Sequence, residues 1–125
     1  MILINNIKGT EMELTDAIRS YAEKRVDALN KFVDVDDTSV SANMEVGKTT
    51  KHHHTGDIFK AELNVSIGGK QFRAVAEKED LYAAIDEVKD EMARILSAHK
   101  GKQATLLRKG SVMLKNIFKG FGREE

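Results

Sequence analysis

Residues 59–76 read FKAELNVSIGGKQFRAVA. Phe59, Ala61, Leu63, Val65 and Ile67 alternate with Lys60, Glu62, Asn64 and Ser66. Successive side chains of an extended chain point to opposite faces, so this alternation makes a strand that is apolar on one side and polar on the other. Gly68-Gly69 follows, a strong two-residue hairpin signal because both primed turn types need positive φ. Phe72, Ala74 and Ala76 carry the returning strand. A hairpin with one apolar face must bury that face under a second layer, and the flanking sequence supplies it.

On the C-terminal side, Asp80 caps a helix whose stripe is Leu81, Ala84, Ile85, Val88, Met92, Ile95 and Leu96, at three- and four-residue steps. On the N-terminal side, ILINNIK at residues 2–8 is a short β-branched run stopped by Gly9, read as an opening strand. Thr15 is an N-cap and Asp16 favours the first turn of a helix. Ile18, Tyr21, Ala22, Val26, Leu29 and Phe32 form its apolar side. VDVDDT at 33–38 is a polar turn, and from Thr38 the period becomes two, with Val40, Ala42, Met44 and Val46 opposite Ser39, Ser41, Asn43 and Glu45. Gly47 to Gly56, GKTTKHHHTG, reads as a long polar loop.

The order is β-α-β-β-β-α. Strands two to four form an antiparallel meander, and a right-handed crossover makes strand one parallel to strand two. The fold class is α+β: a two-layer domain with a four-stranded mixed sheet and both helices on one face. The other sheet face, with Ser41, Asn43, Glu45, Lys60, Glu62, Asn64, Gln71 and Arg73, should meet water. Residues 1–102 form this domain. Residues 103–125 are a basic amphipathic tail, disordered or partly helical, with Leu106, Leu107, Met113, Leu114, Ile117, Phe118 and Phe121 among its cations. Gly110 weakens a continuous helix there by about 1 kcal/mol relative to Ala.

The 125 residues hold 20 Lys and Arg against 20 Asp and Glu, so the formal net charge is zero. That balance hides a segregation. Residues 1–99 carry thirteen basic and eighteen acidic side chains, whereas 100–125 carry seven and two. A basic end of this kind suits an anionic partner. The absence of Cys excludes disulfides, thiolate metal sites and Cys nucleophiles. No signal peptide and no run of about 20 apolar residues is seen, so the expectation is a soluble cytoplasmic protein without a membrane partner.

Enzyme chemistry finds no foothold. Walker, GxSxG, HExxH and strand-linked GxGxxG patterns are all missing. Asp86, Glu87, Asp90 and Glu91 read as a solvated helix face pairing with Lys89 and Arg94, and Tyr82 as an anchor. His52, His53 and His54 are consecutive, a spacing that points neighbouring side chains apart and argues against a metal site. No metal and no cofactor is expected. The remaining candidates are cations late in both helices: Arg25 and Lys31 in the first, Arg94, His99, Lys100 and Lys102 in the second. Brought together, they would suit the phosphates of structured RNA, read by shape.

Two stretches carry a resemblance. EDLYAAID at 79–86, followed by ARILSAHKGK at 93–102, resembles the C-terminal helix of the ribosome hibernation-promoting factor and ribosome-associated translation inhibitor family. MELTDAIRSYAEKRVDALNKF at 12–32 resembles that family's first helix. The likeness covers residues 1 to about 102, and Asp80-x-Tyr82-x-Ala84-Ile85 is its most specific motif. It implies a fold similar to double-stranded RNA-binding domains. It also implies a non-enzymatic factor that occupies the mRNA and tRNA channel of the small ribosomal subunit in stationary phase or stress.

By that resemblance the rRNA-binding positions are Arg25, Lys31, Arg94, Lys100 and Lys102, with His99 beside them. Ala28, Glu91 and Ala98 stand where related proteins often carry Lys. Arg108, Lys109, Lys115, Lys119 and Arg123 of the tail are expected to compensate. The long form's dimerisation domain is not expected, nor is a stable homodimer. The competing reading is a non-ribosomal interaction module, using the tail for a protein partner or an anionic membrane.

Overall fold

Thr15 and Asp80 set where the two helices begin. A computed structural model describes residues 4–33, 39–49 and 57–122, and within the last range leaves out the side chains of 103–107 and 110–122. Thr15 sits in an extended conformation and its Oγ1 accepts from the N–H of Ile18 at 3.2 Å, opening α1 (Asp16–Asp27). Asp80 does the same for α2 (Leu81–Gly122), its Oδ1 accepting from the N–H of Tyr82 at 3.3 Å. Each side chain satisfies a backbone donor that has no partner inside the helix.

The four strands are β1 (Ile4–Thr10), β2 (Ser41–Thr49), β3 (Ile58–Ile67) and β4 (Lys70–Lys78). They lie in sequence order in one sheet. β1 is parallel to β2, and β2, β3 and β4 run antiparallel. The turn between β3 and β4 has Gly68 at φ +56° and Gly69 at φ +83°. Both central residues are therefore left-handed, as a type I′ turn requires.

Alternation decides the layers. Ala42, Met44, Val46, Ala61, Leu63, Val65, Ala74 and Ala76 are buried beneath Ala22, Val26, Leu29, Ile85, Val88, Met92 and Leu96. Among the described residues no polar or charged residue is buried in this core. The small side chains on the strands let the helices sit close, and the large ones fill the gaps.

Three boundaries differ from the sequence expectation. β1 runs through Gly9 to Thr10 instead of stopping at Gly9. β2 likewise continues through Gly47 to Thr49. A Cβ on Gly47 would stand 3.0 Å from the carbonyl oxygen of Thr10, so glycine here permits close approach of the parallel neighbour and does not break the strand. The first helix is α-helical only to Asp27 and tightens into a 3₁₀ segment, Ala28–Phe32, which places Leu29 in the core. The turn expected at 33–38 lies outside the described residues except for Val33.

α2 does not end near Lys102. Its backbone is helical to Gly122. Gly101 and Gly110 each disfavour helix by about 1 kcal/mol, but Lys, Gln, Ala, Leu and Arg around them are good helix formers. The whole chain has no proline to stop the run.

Candidate functional site: the basic end of two parallel helices

Contacts along the α1–α2 seam show how the helices are oriented. Tyr21 meets Tyr82 edge-to-face with ring centroids 4.8 Å apart. One turn on, Arg25 meets Asp86. Beyond α1, Lys100 Nζ donates to the carbonyl oxygen of Lys31 at 3.1 Å. Contacts advance together along both chains, so the helices run in the same direction. The C-terminal end of the first helical segment, with its partial negative charge, therefore lies beside α2 near Lys100. Lys31 and Lys100 complement that charge and are exposed.

The six predicted cations do not form a uniform patch. Lys31 and Lys100 are brought together. Arg25 is half-buried on the seam: its Nε lies 2.7 Å from Asp86 Oδ1. That Nε is buried without an aligned hydrogen-bond partner, so the contact is an ion pair held by charge. Tyr21 donates its hydroxyl proton to the same Asp86 oxygen at 2.6 Å. This bond, burial and the nearby carboxylate charge push the Tyr21 hydroxyl above its ordinary pKa. Arg94 is on the outer side of α2 and pairs with Glu91 one turn earlier. The Glu91 hydrogen bond and charge hold the Arg94 proton more firmly than usual.

His99 turns away from this group, its ring 5.0 Å from that of Phe72 on β4. Lys102 is exposed one turn beyond Ala98. Arg108 and Lys109 are exposed on the continuation of α2, and the side chains of Lys115 and Lys119 and all of Arg123 lie outside the described residues. His52, His53 and His54 also lie outside them. Among the described residues no group of three His, Cys, Asp or Glu side chains is placed to hold a metal ion, and no helix is long and apolar enough to cross a membrane.

The acidic face of α2 is not simply solvated. Asp86 crosses to Arg25 on α1, and Glu87 to Lys78 of β4 at 3.5 Å. Within α2, Glu91 pairs with Arg94 at i,i+3, and Lys89 meets its sequence neighbour Asp90. Sequence spacing finds pairs on one helix. It does not find Arg25 with Asp86, because their meeting depends on how two helices are rotated on the sheet.

The opposite sheet face is different chemistry. Asn43 and Asn64 are paired in register, as are Glu45 and Glu62. Thr10 donates to Glu45 at 2.9 Å and Arg73 pairs with Glu62. The strand alternation puts no aromatic residue on this face among the described residues, so it has no platform on which to stack bases.

Residues 5–104 match the family model described as sigma 54 modulation protein / S30EA ribosomal protein. The chain belongs to this family. The S30EA match spans the whole sheet, α1 and the first part of α2, and stops just beyond the cations late in the domain. Among similar proteins, the ribosome hibernation promoting factor of Azotobacter vinelandii is 38% identical over 98 residues, covering 78% of this chain and 83% of the relative. The ribosome hibernation promoting factor of Escherichia coli K12 is 36% identical over 97 residues, covering 78% and 93%.

The Protein Y N-terminal domain of Thermus thermophilus superposes with a TM-score of 0.66 at 30% identity, over 78% of this chain and 98% of that one. A ribosomal subunit interface protein from Coxiella burnetii superposes with a TM-score of 0.62 at 18% identity, over 81% and 99%, and shows the shared fold.

Proposed function

We propose that this S30EA-family chain is a ribosome-binding hibernation factor, not an enzyme, that docks on the small ribosomal subunit and inhibits translation. The observation that carries the reading is the family match over residues 5–104, which includes α1, the first part of α2 and the candidate cations from Arg25 to Lys102. The name carried by its relatives, ribosome hibernation promoting factor, gives the biological setting. The parallel helices supply a physical means. Lys31 and Lys100 present exposed ammonium groups at one end, and α2 extends that end with Lys102, Arg108 and Lys109. Such a surface neutralises phosphates without reading bases.

The mechanism is steric. A folded domain held in the channel that mRNA and tRNA use excludes both. Affinity comes mainly from contacts to rRNA phosphates, the tail adding to those of the domain. The setting is the cytoplasm in stationary phase or stress.

Co-sedimentation of the purified protein with separated ribosomal subunits, repeated across a salt series, tests this. Binding to the small subunit that falls steeply with salt is the expected result. No binding even at low salt overturns the reading.

A further inference from the structure

The two arginines of the candidate interface are already engaged inside the molecule. Arg25 and Asp86 are 38% and 35% exposed, and although the Nε facing Asp86 is itself buried, solvent reaches the rest of the pair. Asp86 is held in place because one oxygen takes both the Arg25 guanidinium and the Tyr21 hydroxyl. Arg94 and Glu91 are 68% and 43% exposed and lie one turn apart on α2. The lysines differ. Among the described residues no carboxylate pairs with Lys31, Lys100 or Lys102, and Lys100 meets only a backbone carbonyl.

We propose that Asp86 and Glu91 are intramolecular competitors for the phosphates that Arg25 and Arg94 would bind, and that these two carboxylates set how tightly the helical face holds a polyanion. The inference rests on the ribosome reading for its natural ligand. Its chemistry is general. A guanidinium presents the same planar fork to a carboxylate and to a phosphate, so the two anions compete for one guanidinium. A phosphate arriving at Arg25 or Arg94 must either displace the resident oxygen or sit beside a negative charge. An arginine neutralised in advance also contributes less to counterion release, which flattens the salt dependence. The three lysines carry phosphate binding from the start, and the arginines join it only when their carboxylates yield.

The test compares wild-type protein with Asp86→Asn, Glu91→Gln and Glu87→Gln, titrated against small ribosomal subunits and against a plain A-form RNA duplex over a salt series. Asp86→Asn keeps an oxygen that accepts from Tyr21. Glu87→Gln removes the same unit of charge from α2 without releasing Arg25 or Arg94, since Glu87 pairs with Lys78. Thermal unfolding of each variant verifies that the fold is retained.

Asp86→Asn and Glu91→Gln should each tighten binding about twofold to fivefold, the range of an exposed ion pair. Each should steepen the plot of log K against log salt by about 0.7 to 0.9. Combining Asp86→Asn with Arg25→Gln should abolish the gain. Equal gains from Glu87→Gln would assign the effect to net charge and overturn the proposal, as would unchanged slopes. If the wild type binds the duplex but not the subunits, the ribosome reading fails while the duplex still decides the role of the carboxylates. Failure of the wild type and the released variants to bind either RNA overturns both.

Discussion

Lys100 on α2 donates to the main-chain carbonyl of Lys31, which lies 69 positions earlier in the chain. The bond closes the basic end of the domain and leaves both side chains exposed. Their charges therefore add in one small region, and neither is cancelled by a carboxylate among the described residues. Replacing both, Lys31→Gln with Lys100→Gln, should weaken binding to small ribosomal subunits and reduce the salt slope by about 1.4 to 1.8, two phosphate contacts' worth. Subunit binding measured across salt reads the slope directly. An unchanged slope would move the interface elsewhere.

The tail should matter to binding and not to folding. Among the described residues Leu96 is the last one buried in the core, and Lys100, Gly101, Lys102, Arg108 and Lys109 are exposed. A chain ending at Lys102 should melt within a few degrees of the full chain. It should bind subunits about tenfold more weakly at moderate salt, having lost four or more potential phosphate contacts. Parallel melting and co-sedimentation separate the two effects, and equal affinity would deny the tail a role.

Leu63 and Ile85 face one another's layers and are fully buried. Leu63→Ala or Ile85→Ala should each cost about 2–5 kcal/mol, since the cavity left between sheet and helix cannot fully collapse. Urea unfolding followed by circular dichroism gives the value. A loss under 1 kcal/mol would mean that the two layers are less tightly packed than the burial indicates.

Tyr21 makes stability depend on alkaline pH. Its hydroxyl holds its proton above the ordinary value of 10.0, chiefly through the bond to Asp86. The folded chain thus binds this proton more firmly than the unfolded chain. The resulting stabilisation is complete below pH 10 and is lost as pH rises through the folded-state value. Tyr21→Phe should remove that step from the stability profile and from the tyrosinate absorbance titration. A Tyr21 titration at or below the ordinary value would contradict the hydrogen bond.

The sheet was legible because its alternation is strict and each apolar set has one face to go to. A one-residue slip would have put Leu63 and Val65 in water. The Gly68-Gly69 turn and the Thr15 and Asp80 caps are local chemistry, which a sequence states directly. What it obscured was of two kinds. Glycines 9 and 47 look like breakers, yet they lie within strands, and Gly47 meets the close approach of the β1 backbone. Arg25 and Asp86 stand on different helices, and their pairing follows from the rotation of each helix about its own axis on the sheet. Each apolar stripe turns its own helix toward the core, but which flanking side chains then meet depends on how the two helices lie side by side. The same gap hid the division of the cations, since residue type reveals a charge but not whether a neighbour already occupies it.

Only one face of the sheet is committed to the core. A ribosome gripping this domain by its helices would acquire the other face as new lining. Anything entering the cleft afterwards would meet the amides of Asn43 and Asn64 and the carboxylates of Glu45 and Glu62 where it would otherwise have met RNA. Among the described residues that lining offers no aromatic ring, and its Arg73 is already paired with Glu62. On that reading the occupied site would be both filled and resurfaced, with no ring on which an incoming base could stack.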